Sequence, residues 1–204
     1  MCLIEQVYNK EICNYNLMRH VEELVNTIAL KSPNTASHCI RVSMLALEIG
    51  NAFNLPGEDM NELFIASALH DIGKIYVNDS ILNKPSSLTD EEYKIIKEHT
   101  KKGFYTLNDI EGFNNISNIV LHHHERYDGK GYPRGLKGKQ IPFLSRIIAV
   151  ADSYDAMVSS RPYGKKLSIE EAMKELERNK NSQFDRDITS VFLYLIKNNR
   201  LTHK

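Results

Sequence analysis

Histidines and aspartates recur in this chain where the surrounding pattern points inward, a placement that suits metal binding. The densest run is His122-His123-His124-Glu125-Arg126-Tyr127-Asp128-Gly129-Lys130-Gly131-Tyr132-Pro133, three imidazoles and two carboxylates against a Gly-rich turn. Four more places contribute: His38, His70-Asp71, His99 and Asp152. His38 heads an apolar stripe through Val42, Leu45, Ile49 and Phe53. His99 follows Ile95 and Ile96, and His123 and His124 each lie four after Ile119 and Val120. Asp152 shares a helical face with Ile148 and Asp155. Any one of these histidines alone has an ordinary explanation as a hydrogen-bonded core residue. Together His38, His70, Asp71, His99, His123, His124 and Asp152 would each need a separate buried partner, whereas a metal centre satisfies all of them.

Imidazole and carboxylate donors without thiolate suit Fe, Mn, Zn, Co or Ni. The set exceeds what a single catalytic zinc takes, so a pair of divalent metals is the economical reading. Asp71 is suited to bridge them, with one oxygen for each ion. A bridging hydroxide would then be available near neutral pH, and ions about 3.5 to 4 Å apart stabilise both oxygens of a phosphoryl displacement. Lys74, three after Asp71, and Arg161, nine after Asp152, are candidates for holding phosphate oxygens. Three consecutive helical side chains cannot share one centre, so His122 is expected at the surface or behind the ligands. Glu125 is expected to orient a ligand imidazole, with a solvated charge as the plainer alternative.

The elements that must carry these groups read as helices. Helical periods run over Ala36–Phe53, Glu58–Leu69, about Ile116–His124, Leu144–Val158, Ser168–Asn179 and Asp185–Asn198. Thr89-Asp90-Glu91-Glu92 is a capping-box start for a further helix carrying Ile95, Ile96 and His99, and Gly73 fits a helix stop. Tyr127 to Pro142 is broken by glycines and prolines and is expected as a structured loop or a small hairpin. The fold class is therefore all-α, with a short helical extension over 1–30 and a single domain over 31–204.

The chain has 204 residues, 42% hydrophobic and 25% charged, ordinary for one globular domain. Its 26 Lys+Arg balance 26 Asp+Glu, which argues against binding of polymeric nucleic acid but not against a local site for a small anion. Cys2, Cys13 and Cys39 show no CxxC spacing and are expected as reduced thiols. The start lacks a basic region followed by an apolar run, and no apolar stretch is long enough to span a bilayer. The expected setting is cytoplasmic, with no membrane association.

His70-Asp71-Ile72-Gly73-Lys74, together with His123-His124-Glu125-x-x-Asp128-Gly129-x-Gly131-Tyr132-Pro133, resembles the HD-GYP family of the HD phosphohydrolase superfamily. The likeness covers about residues 30 to 200. It includes Thr35-x-x-His38-x-x-Arg41-Val42, Glu98-His99, Ile141-Pro142, Arg146-Ile147-Ile148-x-Val150-x-Asp152, Asp155-Ala156, Arg161-Pro162-Tyr163 and Gln183-Phe184-Asp185. The resemblance implies an all-α bacterial signalling hydrolase that opens cyclic di-GMP to pGpG, in some members onward to GMP, at a centre often containing iron or manganese. It implies metal ligation by His38, His70, Asp71, His99, His123, His124 and Asp152. Lys74, Tyr132 and Arg161 would lie at the substrate's phosphates, with Asp71 and Lys74 catalytic and Glu125 and Asp155 behind the ligands. Members with a third metal place a Glu four before the first His; here it is Asn34, so two metals are expected. Gly164 stands where a basic residue is frequent, with Lys165 next, and Arg186 follows Phe184-Asp185 where Pro is usual, affecting the start of the last helix.

Alternatives are a phosphodiesterase for another cyclic or linear dinucleotide, such as cyclic GMP-AMP, and a non-catalytic module binding a dinucleotide or a partner protein. With about 30 residues before the domain, regulation is expected from signalling proteins acting in trans, and a homodimer is compatible with the sequence.

Overall fold

The computed structural model describes residues 15–159 and 166–201, and within them the fold is helical with no strands. Ten α-helices follow one another among the described residues: α1 (Tyr15–Lys31), α2 (Pro33–Ala52), α3 (Gly57–Leu69), α4 (Asp79–Leu82), α5 (Asp90–Lys97), α6 (His99–Asn108), α7 (Asn114–Leu121), α8 (Phe143–Val158), α9 (Ile169–Arg178) and α10 (Arg186–Lys197). A 3₁₀ turn spans Ile72–Tyr76 and another Gly138–Gln140. No helix among these residues is long and apolar enough to cross a membrane.

Local chemistry sets the helix starts. Ser32 accepts from the Thr35 N–H ahead of Pro33, and Asp185 accepts from Asp187 and Ile188 at the head of α10. The Thr89/Glu92 capping box forms as expected, and Ser168/Glu171 makes a second at α9. The apolar faces then pack into one core, with α2 against α3 and α8, and α6 against α7. Ile49, Leu63, Phe64, Val120, Ile147 and Phe192 lie inside it, and α1 contributes Val21 and Ile28.

Three local expectations are revised. The segment from Asp90 to Asn108 is two helices, with the break at Glu98, so His99 opens α6 instead of riding on α5. Gly73 does not stop α3, which ends at Leu69; it lies in the following 3₁₀ turn. A Cβ at Gly73 would lie 2.0 Å from the His99 carbonyl oxygen, so the missing side chain is what lets the start of α6 press against this turn and brings His99 beside Asp71. Helix α7 stops at Leu121, leaving His122, His123 and His124 in a turn. Its last carbonyls are taken by imidazoles: Asn118 O by His122 Nδ1 (2.8 Å) and Val120 O by His123 Nδ1 (2.6 Å).

Tyr127 to Pro142 is a loop without strands, so the hairpin alternative is not adopted. It folds back on the His turn, with the Tyr132 N–H donating to His124 O (3.2 Å) through a cis Tyr132–Pro133 peptide. At Gly131 a Cβ would lie 2.3 Å from Arg126 N, so only glycine permits this reversal. The Tyr127 and Asp128 N–H groups donate to Gln183 O and Ser182 O, anchoring the loop to the α9–α10 connection.

Candidate metal centre

Three helices and two turns deliver the predicted ligands to one place. The His70 and His123 rings lie 5.0 Å apart by centroids, His38 and His70 5.3 Å, and His99 and His123 5.3 Å. His70, Asp71, His99 and His123 are 1% exposed or less. His38 and Asp152 keep slight side-chain exposure at the rim.

The rings are oriented from behind by acceptors. His70 Nδ1 meets Ser67 O (2.7 Å), His99 Nδ1 meets Ile96 O (2.7 Å) and His123 Nδ1 meets Val120 O (2.6 Å). A carbonyl only accepts, so each Nδ1 carries the proton and each Nε2 presents a lone pair to the interior. His38 is fixed by a carboxylate, with Nδ1 2.6 Å from Asp155 Oδ2, and Arg41 holds that carboxylate from the other side at 2.7 and 2.9 Å. Asp155 thus stands behind His38.

The inward atoms lack protein partners suited to them. His70 Nε2 and Asp71 Oδ1 are buried with no hydrogen bond among the described residues. The Nε2 atoms of His99 and His123 face each other at 3.3 Å, and neutral rings with Nδ1 protonated put two lone pairs together there. His38 Nε2 lies 3.1 Å from Asp152 Oδ1, and His99 Nε2 3.4 Å from Asp71 Oδ1. Cations satisfy this arrangement, because imidazole and carboxylate donors converge on shared points. The donor atoms fall into groups whose members all lie within 4.8 Å of one another: His38, His70 and Asp152; and His99, His123 and His124. Asp71 reaches toward both, through contacts to His70 and to His99.

Electrostatics agree with neutral rings at His70, His99, His123 and His124 around buried carboxylates, and with a protonated His38 between Asp152 and Asp155. Burial, opposed by Asp71 and reinforced by His124, pushes His99 down to about 3. Burial likewise takes His124 down to about 4 and depresses His70 and His123. Burial opposes ionisation of Asp71, but Lys74 and the surrounding imidazoles hold it well below the usual carboxylate range. For His38 burial opposes protonation, yet hydrogen bonds to Asp152 and Asp155 raise it to about 9. Lys74 donates to Asp71 Oδ2 at 2.6 Å, placing an ammonium at the edge of the centre. Tyr132 covers one imidazole, its ring 4.9 Å from that of His124.

One expectation about a neighbouring residue is corrected, and one of the two alternatives for another is removed. Glu125 holds no imidazole; its carboxylate accepts from the Arg134 N–H (2.7 Å) and the Leu136 N–H (3.0 Å), pinning the Gly-rich loop. His122 is outside both donor groups but is not at the surface: it is 3% exposed and its Nε2 is unpartnered. Arg161 and Lys165 lie outside the described residues. Sequence reasoning missed Cys39, whose sulfur lies within 4.8 Å of donor atoms of His70 and Asp71. Its place beside His38 was the available signal. Burial pushes its thiol well above the ordinary range, so it lines the centre as a neutral group.

Comparison with known proteins bears on this geometry. The HD domain family pattern matches residues 22–188. A cyclic di-GMP phosphodiesterase of Thermotoga maritima is 39% identical over 199 residues, covering 96% of this chain and 54% of that protein. Cyclic di-GMP phosphodiesterase PA4108 of Pseudomonas aeruginosa is 38% identical over 181 residues, covering 87% of this chain and 44% of that protein. The chain therefore spans about half the length of these curated relatives. A crystal structure of a cyclic GMP-AMP specific phosphodiesterase of V. cholerae (V-cGAP3) superposes with a TM-score of 0.69 at 20% identity, over 87% of this chain and 48% of that one, a likeness of fold. With His70-Asp71 closing α3 and the Gly-Tyr-Pro loop folded over His124, the chain belongs to the HD domain family and carries the motifs of its HD-GYP members.

Proposed function

We propose that this chain is a metal-dependent phosphodiesterase that hydrolyses cyclic di-GMP to pGpG, and onward to GMP where the linear product rebinds. The observation that carries the reading is Asp71, a buried carboxylate set between two groups of donors with one oxygen that has no hydrogen-bond partner among the described residues. The named activity of the Thermotoga maritima and Pseudomonas aeruginosa relatives supports the choice of substrate.

In this reading His38, His70 and Asp152 hold one divalent ion, His99, His123 and His124 hold another, and Asp71 serves both. The donors suit iron, manganese, zinc, cobalt or nickel, and the resemblance to HD-GYP proteins favours iron or manganese among them. Bound ions of this kind supply an acidified water and Lewis-acid stabilisation of phosphoryl charge. The protein's share is positioning. Backbone carbonyls and Asp155 fix the imidazoles so that little reorganisation accompanies binding. Lys74 is placed to hold a phosphate oxygen, and Asp71 keeps its ammonium charged beside the centre. Tyr132 and the loop pinned by Glu125 form a wall that limits water access on the His124 side.

Anaerobically purified protein, analysed for metal and incubated with cyclic di-GMP or cyclic GMP-AMP, tests the reading by chromatography of products. The expected result is pGpG formation that EDTA abolishes. Faster turnover of cyclic GMP-AMP would transfer the assignment to that substrate, and bound metal with no turnover of either would make the chain a binding module.

A further inference from the structure

Beside the metal-type cluster, α5 brings two side chains to the Gly-Tyr-Pro loop that no role above uses. The Lys97 ammonium lies 5.1 Å from the Tyr93 ring centroid and 5.7 Å from that of Tyr132. Tyr132 in turn packs on His124. The ammonium is therefore two rings away from the centre, on its loop side. Two other lysines of this region are neutralised: Lys84 pairs with Glu92 at 2.6 Å and Lys101 with Glu98 at 3.0 Å. Glu98 adjoins Lys97 in sequence, yet pairs with Lys101. Among the described residues no carboxylate pairs with Lys97, which is half-buried between aromatic faces. Ring faces restrain a cation without cancelling its charge, so the position of this ammonium is fixed while its charge stays available to an anion.

A cyclic dinucleotide carries two phosphodiesters joined in one ring, and only one can be at the reacting centre. The other projects from that centre by the length of a nucleoside and needs its own cation. We propose that Lys97, bracketed by Tyr93 and Tyr132, holds the phosphodiester that is not being cleaved, and that this contact selects cyclic dinucleotides over simple phosphodiesters. The inference rests on the proposed phosphodiesterase activity and adds a substrate-positioning residue to it. Tyr93, 49% exposed, would have two roles, steadying the ammonium and offering a ring face to a base.

The test compares manganese-loaded wild type with Lys97→Met, which keeps the apolar stem, and Lys97→Arg, which keeps the charge. Each is assayed with cyclic di-GMP and with bis(p-nitrophenyl) phosphate, which has a single phosphate. Lys97→Met is expected to raise KM for cyclic di-GMP about tenfold or more with a much smaller change in kcat, as for a lost charged hydrogen bond distant from the reacting atoms. The ratio of kcat/KM for cyclic di-GMP to that for bis(p-nitrophenyl) phosphate should fall by a similar factor, and Lys97→Arg should restore most of it. Equal losses on both substrates, or an unchanged KM for cyclic di-GMP, overturn the inference and leave the phosphodiesterase reading intact. Wild-type turnover of bis(p-nitrophenyl) phosphate without turnover of any cyclic dinucleotide overturns both.

Discussion

At the scale of single residues, an imidazole becomes a candidate ligand here through what stands behind it. His70, His99 and His123 each spend Nδ1 on a carbonyl three residues earlier, which fixes the ring and turns Nε2 inward. His122 also spends Nδ1 on a carbonyl, that of Asn118, but its ring joins neither donor group. His123→Ala should therefore lose bound metal, whereas His122→Ala should keep it and cost about 1 to 3 kcal/mol through the lost buried hydrogen bond and packing. Metal content per chain and urea midpoints check both, and equal metal loss would contradict the distinction. The seven ligand candidates were legible because inward polar residues stand out against an apolar period. Their Nδ1 partners were not, since most are backbone carbonyls that leave no mark in side-chain pattern. Glu125 was misread for a related reason: its partners are the N–H groups of Arg134 and Leu136, on a loop with no period to place it.

At the scale of elements, the centre depends on where helices stop. The Thr89/Glu92 capping box made the start of α5 readable. The breaks at Glu98 and Leu121 were not readable, because tertiary contacts set them: α6 seats against Gly73, and imidazoles take the last carbonyls of α7. The Gly-rich loop is anchored by the buried side chain of Ile141 at its end and is otherwise held by Glu125 and by the backbone of Ser182 and Gln183. Glu125→Ala strands two N–H donors and should destabilise the fold by roughly 2 to 4 kcal/mol. Because Tyr132 rides on this loop, KM for the dinucleotide should also rise while bound metal stays near wild type. Urea titration, metal analysis and steady-state kinetics measure these effects. Loss of metal in proportion to activity would instead place Glu125 among the groups that orient ligands.

At the scale of the whole molecule, an apolar helical core is organised around a polar centre that folding alone does not favour. That conflict predicts how the metal-free protein responds to pH. His70, His99, His123 and His124 have folded pKa values depressed chiefly by burial, to about 3 for His99 and about 4 for His124, against about 6.5 in the unfolded chain. As pH falls below about 6.5 the unfolded chain takes up protons first, so stability declines toward pH 4, by up to about 1.4 kcal/mol per pH unit for each group. His38 behaves oppositely: raised to about 9, it contributes fully below about 6.5 and is lost as pH rises through 9. The metal-free protein should therefore be most stable near neutrality, with urea midpoints lower at pH 5 and at pH 9, and a flat profile would contradict the burial of neutral imidazoles. The central claim is that Asp71 joins the two donor groups into one hydrolytic metal centre for a cyclic dinucleotide. Its most direct test is parallel measurement of metal per chain and cyclic di-GMP hydrolysis in anaerobically prepared wild type and Asp71→Asn. The account predicts about two divalent ions and pGpG formation in the wild type, with metal reduced and turnover lowered at least about a thousandfold in the variant. Unchanged turnover in Asp71→Asn, or a metal-loaded wild type that leaves cyclic di-GMP intact, would contradict it.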